Sequence, residues 1–192
     1  MNYIIRAIKL NLLVIMCVTA LFVIGSGQLS LAQIVPPCTL PNCAEQWSVG
    51  TDLLVRQGNC LFKVRFYEKI CSNGNGQTYC DYYFDKIEAV PLNCCYGNQW
   101  PALADIVKSM AQSLMDYVPS LGCRTSPGGG TNIWFPSCWK ITTPNTLAEG
   151  CFVLSCCRLY RSATPPYTPT LYPPAETPDC LDGGPTCIFI CQ

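Results

Sequence analysis

Sixteen of the 192 residues are cysteine and none is histidine. A cysteine share above about 8% in an exported chain marks a disulfide scaffold, and such scaffolds mature in oxidising compartments. The missing histidine removes the Ser-His-Asp and Cys-His nucleophile systems and every His-ligated zinc site. No Cys-x-x-Cys occurs, which argues against a thioredoxin-type redox centre and a ribbon-type zinc site. The chain therefore reads as something stapled by sulfur rather than organised around a metal or a conventional active site, and no cofactor is expected.

Residues 1–32 read as an export signal. Arg6 and Lys9 are the only charges before Glu45, residues 12–25 are apolar, and Ser30-Leu31-Ala32 offers the small residues a signal peptidase reads. Fourteen apolar residues fall short of the roughly 20 that a spanning helix needs, so no membrane span is expected after cleavage. The remaining 160 residues hold 15 cysteines and carry 10 basic against 12 acidic side chains, a net charge of −2. That charge argues against nucleic acid and anionic membrane as partners. An odd cysteine count in a secreted chain leaves a buried thiol or an intermolecular bridge, and so a disulfide-linked oligomer. Extracellular, cell-surface and periplasmic locations all suit this reading.

Strand signals dominate residues 33–161. Residues 47–56 suit a first strand. Cys60, Phe62, Val64 and Phe66 alternate with Lys63 and Arg65, as a strand with one buried face requires. Residues 72–77 hold two Asn-Gly pairs, and the aromatic-rich run 79–90 follows, so the spacing predicts a β-hairpin. If Asn75-Gly76 is a two-residue turn, Gly74 faces Gln77 and Cys71 faces Cys80 at a non-hydrogen-bonded pair, where strands come closest. That geometry accepts a disulfide, and a Cys71–Cys80 bridge is predicted. Residues 133–142 and 151–161 suit a further strand pair. The vicinal cysteines of each pair, Cys94-Cys95 and Cys156-Cys157, point to opposite faces of an extended chain and call for distant partners.

One helix is expected, over residues 101–118. Leu103, Ile106, Val107, Met110, Leu114 and Val118 recur at three- and four-residue steps, with Asp105, Lys108, Gln112 and Asp116 opposite. Residues 162–178 carry six prolines and read as an extended spacer. Residues 179–192 form a Cys-rich loop too short to fold alone, tied by disulfides internally or to the body.

Two groups of residues invite a chemical role. Asp81 and Asp85 share a strand face with Glu68 across the hairpin, as a carboxylate pair would, although a solvated face with Lys63 and Arg65 as charge partners is the plainer explanation. The aromatics Tyr79, Tyr83, Trp134 and Trp139 lie on strands and could stack on sugars or dock a protein, although packing accounts for strand aromatics equally well. The expected architecture is α+β: a small disulfide-rich antiparallel sheet of four or five strands, one packed amphipathic helix and a Pro-rich C-terminal extension. The leading expectation is a secreted, non-enzymatic structural or adhesive protein. A carbohydrate- or protein-binding module using the aromatic face is the alternative, and a carboxylate-dependent hydrolase the third.

Overall fold

The alternation in residues 60–72 builds the strand that carries the rest. A computed structural model describes residues 43, 45–91, 100–142, 145–151, 155–180 and 186–191. Its strands are β1 (Ser48–Gln57), β2 (Cys60–Ser72), β3 (Thr78–Tyr83), β4 (Lys86–Ala89), β5 (Gly130–Pro136), β6 (Cys138–Thr142), β7 (Leu147–Gly150), β8 (Cys156–Ser162), β9 (Thr170–Tyr172) and β10 (Ile188–Phe189). One α-helix, α1 (Leu103–Tyr117), lies between β4 and β5. Among the described residues the fold is mostly sheet with one α-helix, as expected, but the sheet has ten strands rather than four or five. The difference arises because the runs 79–90 and 133–142 each divide into two strands, and because β7, β9 and β10, two to four residues long, were not foreseen. Strands so short show no periodicity of their own and exist because a partner elsewhere in the chain offers an edge.

β1 runs along one edge of β2. β3 and β4 share the other edge, end to end. Tyr67 pairs with Tyr83 while Val64 pairs with Ile87, so the β3–β4 side holds one extra residue around Phe84 and Asp85. This is a β-bulge, and it bends the strand. The sheet forks there. β5 joins β3 in parallel and leads to β8 and β9, while β7 joins β4 and leads to β6 and β10. Phe84 donates its N–H to Trp134 on the first wing (3.2 Å), and the Asp85 carbonyl accepts from Gly150 on the second (2.8 Å). Phe84, Phe135 and the wholly buried Trp139 fill the angle, with ring centroids 5.6 and 5.8 Å from Phe84.

The chain crosses between wings through Ser137, the single residue separating β5 from β6. Its N–H (3.1 Å) and hydroxyl (3.0 Å) both donate to the Ser155 carbonyl, and its own carbonyl accepts from Ile190 (3.0 Å). A fully buried serine is tolerated here because each of its polar groups is paired.

The helix follows its sequence pattern closely. Leu103, Ile106, Val107, Met110, Ala111, Leu114 and Met115 are buried, against inner-face residues that include Phe62, Tyr82, Ile133 and Leu159. Asp105, Gln112 and Asp116 are exposed. Pro101 precedes the helix rather than opening it, and Pro119 sits inside a 3-10 turn, Val118–Leu121, that extends it.

The predicted Cys71–Cys80 bridge is not formed. Cys71 pairs with Cys43 and Cys80 with Cys123. The cause lies in the hairpin turn. Asn73 accepts from the backbone of Gly76 (3.0 Å), and its side chain accepts from Asn75 and Gln77 (3.0 Å each). The loop therefore closes around Asn73, with Gly76 at φ +72°, a left-handed conformation suited to glycine. Cys71 then faces Tyr79, and Cys80 faces Ile70. A one-residue slip sends the two cysteines to opposite faces of the sheet.

The C-terminal residues are not a free extension. β9, within the proline-rich stretch, pairs with β8. Cys180, Cys187 and Cys191 all bond back to the body, at Cys138, Cys151 and Cys157, and residues Val35–Gln192 gather into one unit. Cys157 thus has the distant partner expected of a vicinal cysteine, and Cys156 is also oxidised. All twelve described cysteines are disulfide-bonded, so the odd cysteine is not among them. Cys17, Cys38, Cys94 and Cys95 lie outside the described residues.

The five bridges that join two described cysteines span sequence separations of 28 to 43 residues, and loops of that size contribute about 4 kcal/mol each in the chain-entropy account. Replacing Cys138 and Cys180 together by alanine should lower the unfolding free energy by about 2–5 kcal/mol, read from urea denaturation. Iodoacetamide added to the native protein should alkylate none of the twelve. An unmoved midpoint, or label on any of those positions, contradicts the assignment.

Candidate functional site

Alternation divides the sheet residues between two sides. The inner side meets α1. The outer side carries two rows of side chains that cross neighbouring strands. Register places Lys69, Asp81, Asn132 and Tyr160 in one row, and Tyr67, Tyr83, Trp134, Arg158 and Tyr172 in the next. Adjacent strands lie about 4.8 Å apart, so both rows are continuous bands of contact.

The first row is a buried polar network. Asp81 is fully enclosed and Lys69 is 4% exposed. One Asp81 oxygen accepts from Asn132 Nδ2 (2.7 Å) and Trp134 Nε1 (3.2 Å). The other lies 3.1 Å from the Cys71 sulfur, which in a disulfide has no proton to donate. Burial pushes the Asp81 carboxyl above its ordinary value, against the two donors and the charges of Lys69 and Arg158. Lys69 sits 4.7 Å above the Trp47 ring. Burial lowers its pKa, while Asp81 and Glu45 pull it back up. Asp81 is thus neither solvated nor paired with Lys63 or Arg65, as the plainer sequence explanation had it. Those cations bind Glu88 (2.5 Å) and Asp52 (2.8 Å). Asp81 faces Lys69 directly across β2 and β3.

The second row is aromatic around a guanidinium. The Arg158 guanidinium lies 4.5 Å from the Tyr172 ring centroid and 5.6 Å from those of Trp134 and Tyr160. Arg158, Trp134 and Tyr160 are half-buried and Tyr172 is exposed. Tyr160 is firmly placed. Its hydroxyl donates to the Gly129 carbonyl (3.2 Å), and its ring lies over Gly130, where a Cβ would come within 2.4 Å of it. Only glycine permits that approach.

Of the aromatics singled out from sequence, Trp134 is central to this row. Tyr83 belongs to it but is 3% exposed, beneath Trp47 and Tyr67. Tyr79 stands near the hairpin end, its hydroxyl within reach of Gln77 Oε1 (3.2 Å) and the Gly128 carbonyl (3.4 Å). Trp139 is a correction: it is wholly buried, and its indole N–H donates to the Pro136 carbonyl (2.7 Å), so it has no surface to offer a ligand. Arg158, Tyr160 and Tyr172 were missed. The i, i+2 spacing of Arg158 and Tyr160 was the available signal; Tyr172 was hidden in a stretch read as spacer.

The carboxylates do not gather into a pair. Asp85, at the bulge, lines a cleft of about 320 Å³ with Tyr67, Lys86 and Glu88, and burial raises its pKa. Glu68 lines a second cleft, of about 330 Å³, with Glu45 and Lys69. Among the described residues no cluster of His, Cys, Asp or Glu is placed to hold a metal, and no helix is long and apolar enough to cross a membrane. Comparison with protein families, curated proteins and solved structures finds no match.

Two outcomes follow from the polar network. Asp81→Ala orphans the Asn132 and Trp134 donors and removes the stronger-acting of the two acidic charges, Asp81 and Glu45, that act on buried Lys69. It should cost about 3–5 kcal/mol, read from urea midpoints; a cost below about 1 kcal/mol would contradict the network. The second concerns pH. Asp81 and Asp85 both titrate above 3.8 in the native state, so the native chain takes up these protons before the unfolded chain does. Stability is then lost as pH rises through the native values and regained on acidification toward 3.8. Asp52, held low by its bond to Arg65, opposes this only below 3.8. The oxidised protein should resist urea better at mildly acidic than at neutral pH, and Asp81→Asn should diminish that gain. An undiminished gain would remove Asp81 from the account.

Proposed function

We propose that this chain is an exported, non-enzymatic adhesive protein whose disulfide-braced sheet presents its outer face to an extracellular partner. The observation that carries this reading is the row Trp134–Arg158–Tyr172, aromatic and partly exposed, standing on three adjacent strands on the side away from α1. Rings fixed on strands make a flat apolar surface with polar edges, and little freedom is lost when a ligand covers them. Sugars and protein surfaces both bind such faces. The oxidised state of the described cysteines favours a secreted or cell-surface setting. The structural and binding-module readings converge here, since an adhesive protein needs both a resistant body and a contact face. The hydrolase reading draws less support, because Asp81 is enclosed and held by Asn132 and Trp134.

Paired substitution of Trp134 and Tyr172 by alanine should abolish retention of the oxidised protein on immobilised polysaccharide and remove the shift in tryptophan emission that polysaccharide produces. Thermal melting of Tyr172→Ala alone should change little, since that ring is exposed on β9; loss of Trp134 removes a donor from buried Asp81, so retention of the double variant is read below its own melting transition. Equal retention of wild type and the double variant would refute the use of this face.

A further inference from the structure

We infer that Arg158 is the carboxylate clamp of a saccharide site formed with Trp134, Tyr160 and Tyr172, and that its ligand is a carboxylate-bearing sugar of the uronic-acid type. This rests on the adhesive reading above and names its ligand class.

Hydrogen bonding around Arg158 is out of balance. A guanidinium carries five N–H donors and stays charged at every accessible pH. Four cations of the sheet have acceptors: Lys63 has Glu88, Arg65 has Asp52, Lys140 has Glu149, and Arg161 donates to the Met115 carbonyl (3.0 Å); buried Lys69 lies over the Trp47 ring and faces Asp81 across the strands. Arg158 is half-buried, yet its side chain has no hydrogen-bond or ion-pair acceptor among the described residues. Its partners are three aromatic rings. Ring contacts engage the face of a guanidinium and leave its N–H edge unsatisfied. The neighbouring carboxylate, Asp81, is held by Asn132 and Trp134 instead.

An arginine held in this way is set up for a planar, bidentate acceptor, and a carboxylate is the simplest. The rings decide what carries that carboxylate. Trp134 and Tyr172 flank Arg158 from the strands on either side, roughly 10 Å apart, and Tyr160 braces Tyr172 at 6.4 Å between centroids. Apolar faces on both sides of a charged centre match a chain of pyranose rings whose C–H faces stack while one ring offers its carboxylate. The row holds one cation and the whole chain has no net positive charge, so affinity has to come from one clamped carboxylate together with ring stacking rather than from a general attraction for polyanions.

The test uses the oxidised protein and three probes: an oligogalacturonate, a neutral cello-oligosaccharide of the same length, and poly-glutamate. Wild type should bind the oligogalacturonate about tenfold or more tighter than the neutral sugar, and poly-glutamate no better than the neutral sugar. Arg158→Gln should bind both sugars alike. Arg158→Lys, which keeps the charge but not the fork, should lose most of the preference. Unchanged melting in both variants separates this result from unfolding. Equal wild-type affinity for the two sugars, or a preference that survives in Arg158→Gln, overturns the clamp while leaving the adhesive reading intact. Tight poly-glutamate binding overturns the sugar class in favour of an acidic peptide. Failure to bind any of the three overturns the saccharide site, and only the Trp134/Tyr172 double variant then bears on the adhesive face.

Discussion

One extra residue around Phe84 and Asp85 sets the geometry of this protein. Without it, β3 and β4 would form a single strand along β2, and the sheet would continue in one direction. With it, the strand bends and two further strands find edges to join, β5 beside β3 and β7 beside β4. The hydrogen bonds from Phe84 to Trp134 and from Gly150 to Asp85 close the angle, and Phe84, Phe135 and Trp139 fill it. Bulges commonly re-aim side chains at functional places. Here the bulge turns Trp134 and its wing into a separate face, with Arg158 and Tyr172 beyond it.

Disulfides complete what the short strands cannot hold alone. β10 is two residues long, too short to hold an edge by its backbone bonds. It stays in place because Cys187 and Cys191, on either side of it, are bonded to Cys151 and Cys157. β9 contributes only three residues, yet it brings Tyr172 beside Arg158. The proline-rich stretch that would otherwise be a spacer thus becomes part of the outer face, pinned at its far end by Cys180 to Cys138. Constraint of the unfolded chain, more than breadth of core, keeps these elements in register.

The outer face combines two kinds of order. Its polar row centres on enclosed Asp81, whose bonds from Asn132 and the Trp134 indole fix those groups in one arrangement. Its aromatic row is partly open and built around Arg158, whose side chain meets three rings and no acceptor among the described residues. The first holds the second in position: the Trp134 N–H is spent on Asp81, so the ring is fixed before any ligand arrives. Preorganisation of this kind is what a recognition surface needs to bind without a large ordering cost.

Local pattern was enough for some of this and not for the rest. The period of β2, the stripe of α1 and the abundance of disulfides could be read directly, because each depends on neighbouring residues or on composition. The hairpin was visible too, but not its register, since the side chain of Asn73 moves the loop by one position and so separates Cys71 from Cys80. Trp134 and Trp139 were not distinguishable in the sequence: Trp134 is half-buried on the outer face, whereas Trp139, five residues on, is buried because the crossing at Ser137 carries it to the other wing. The brief strands, the sulfur pairings and the meeting of Arg158 with Tyr172 depend on contacts between distant stretches of chain. Their energies reside in closure of long loops and in packing across the fork, and no window of sequence contains those.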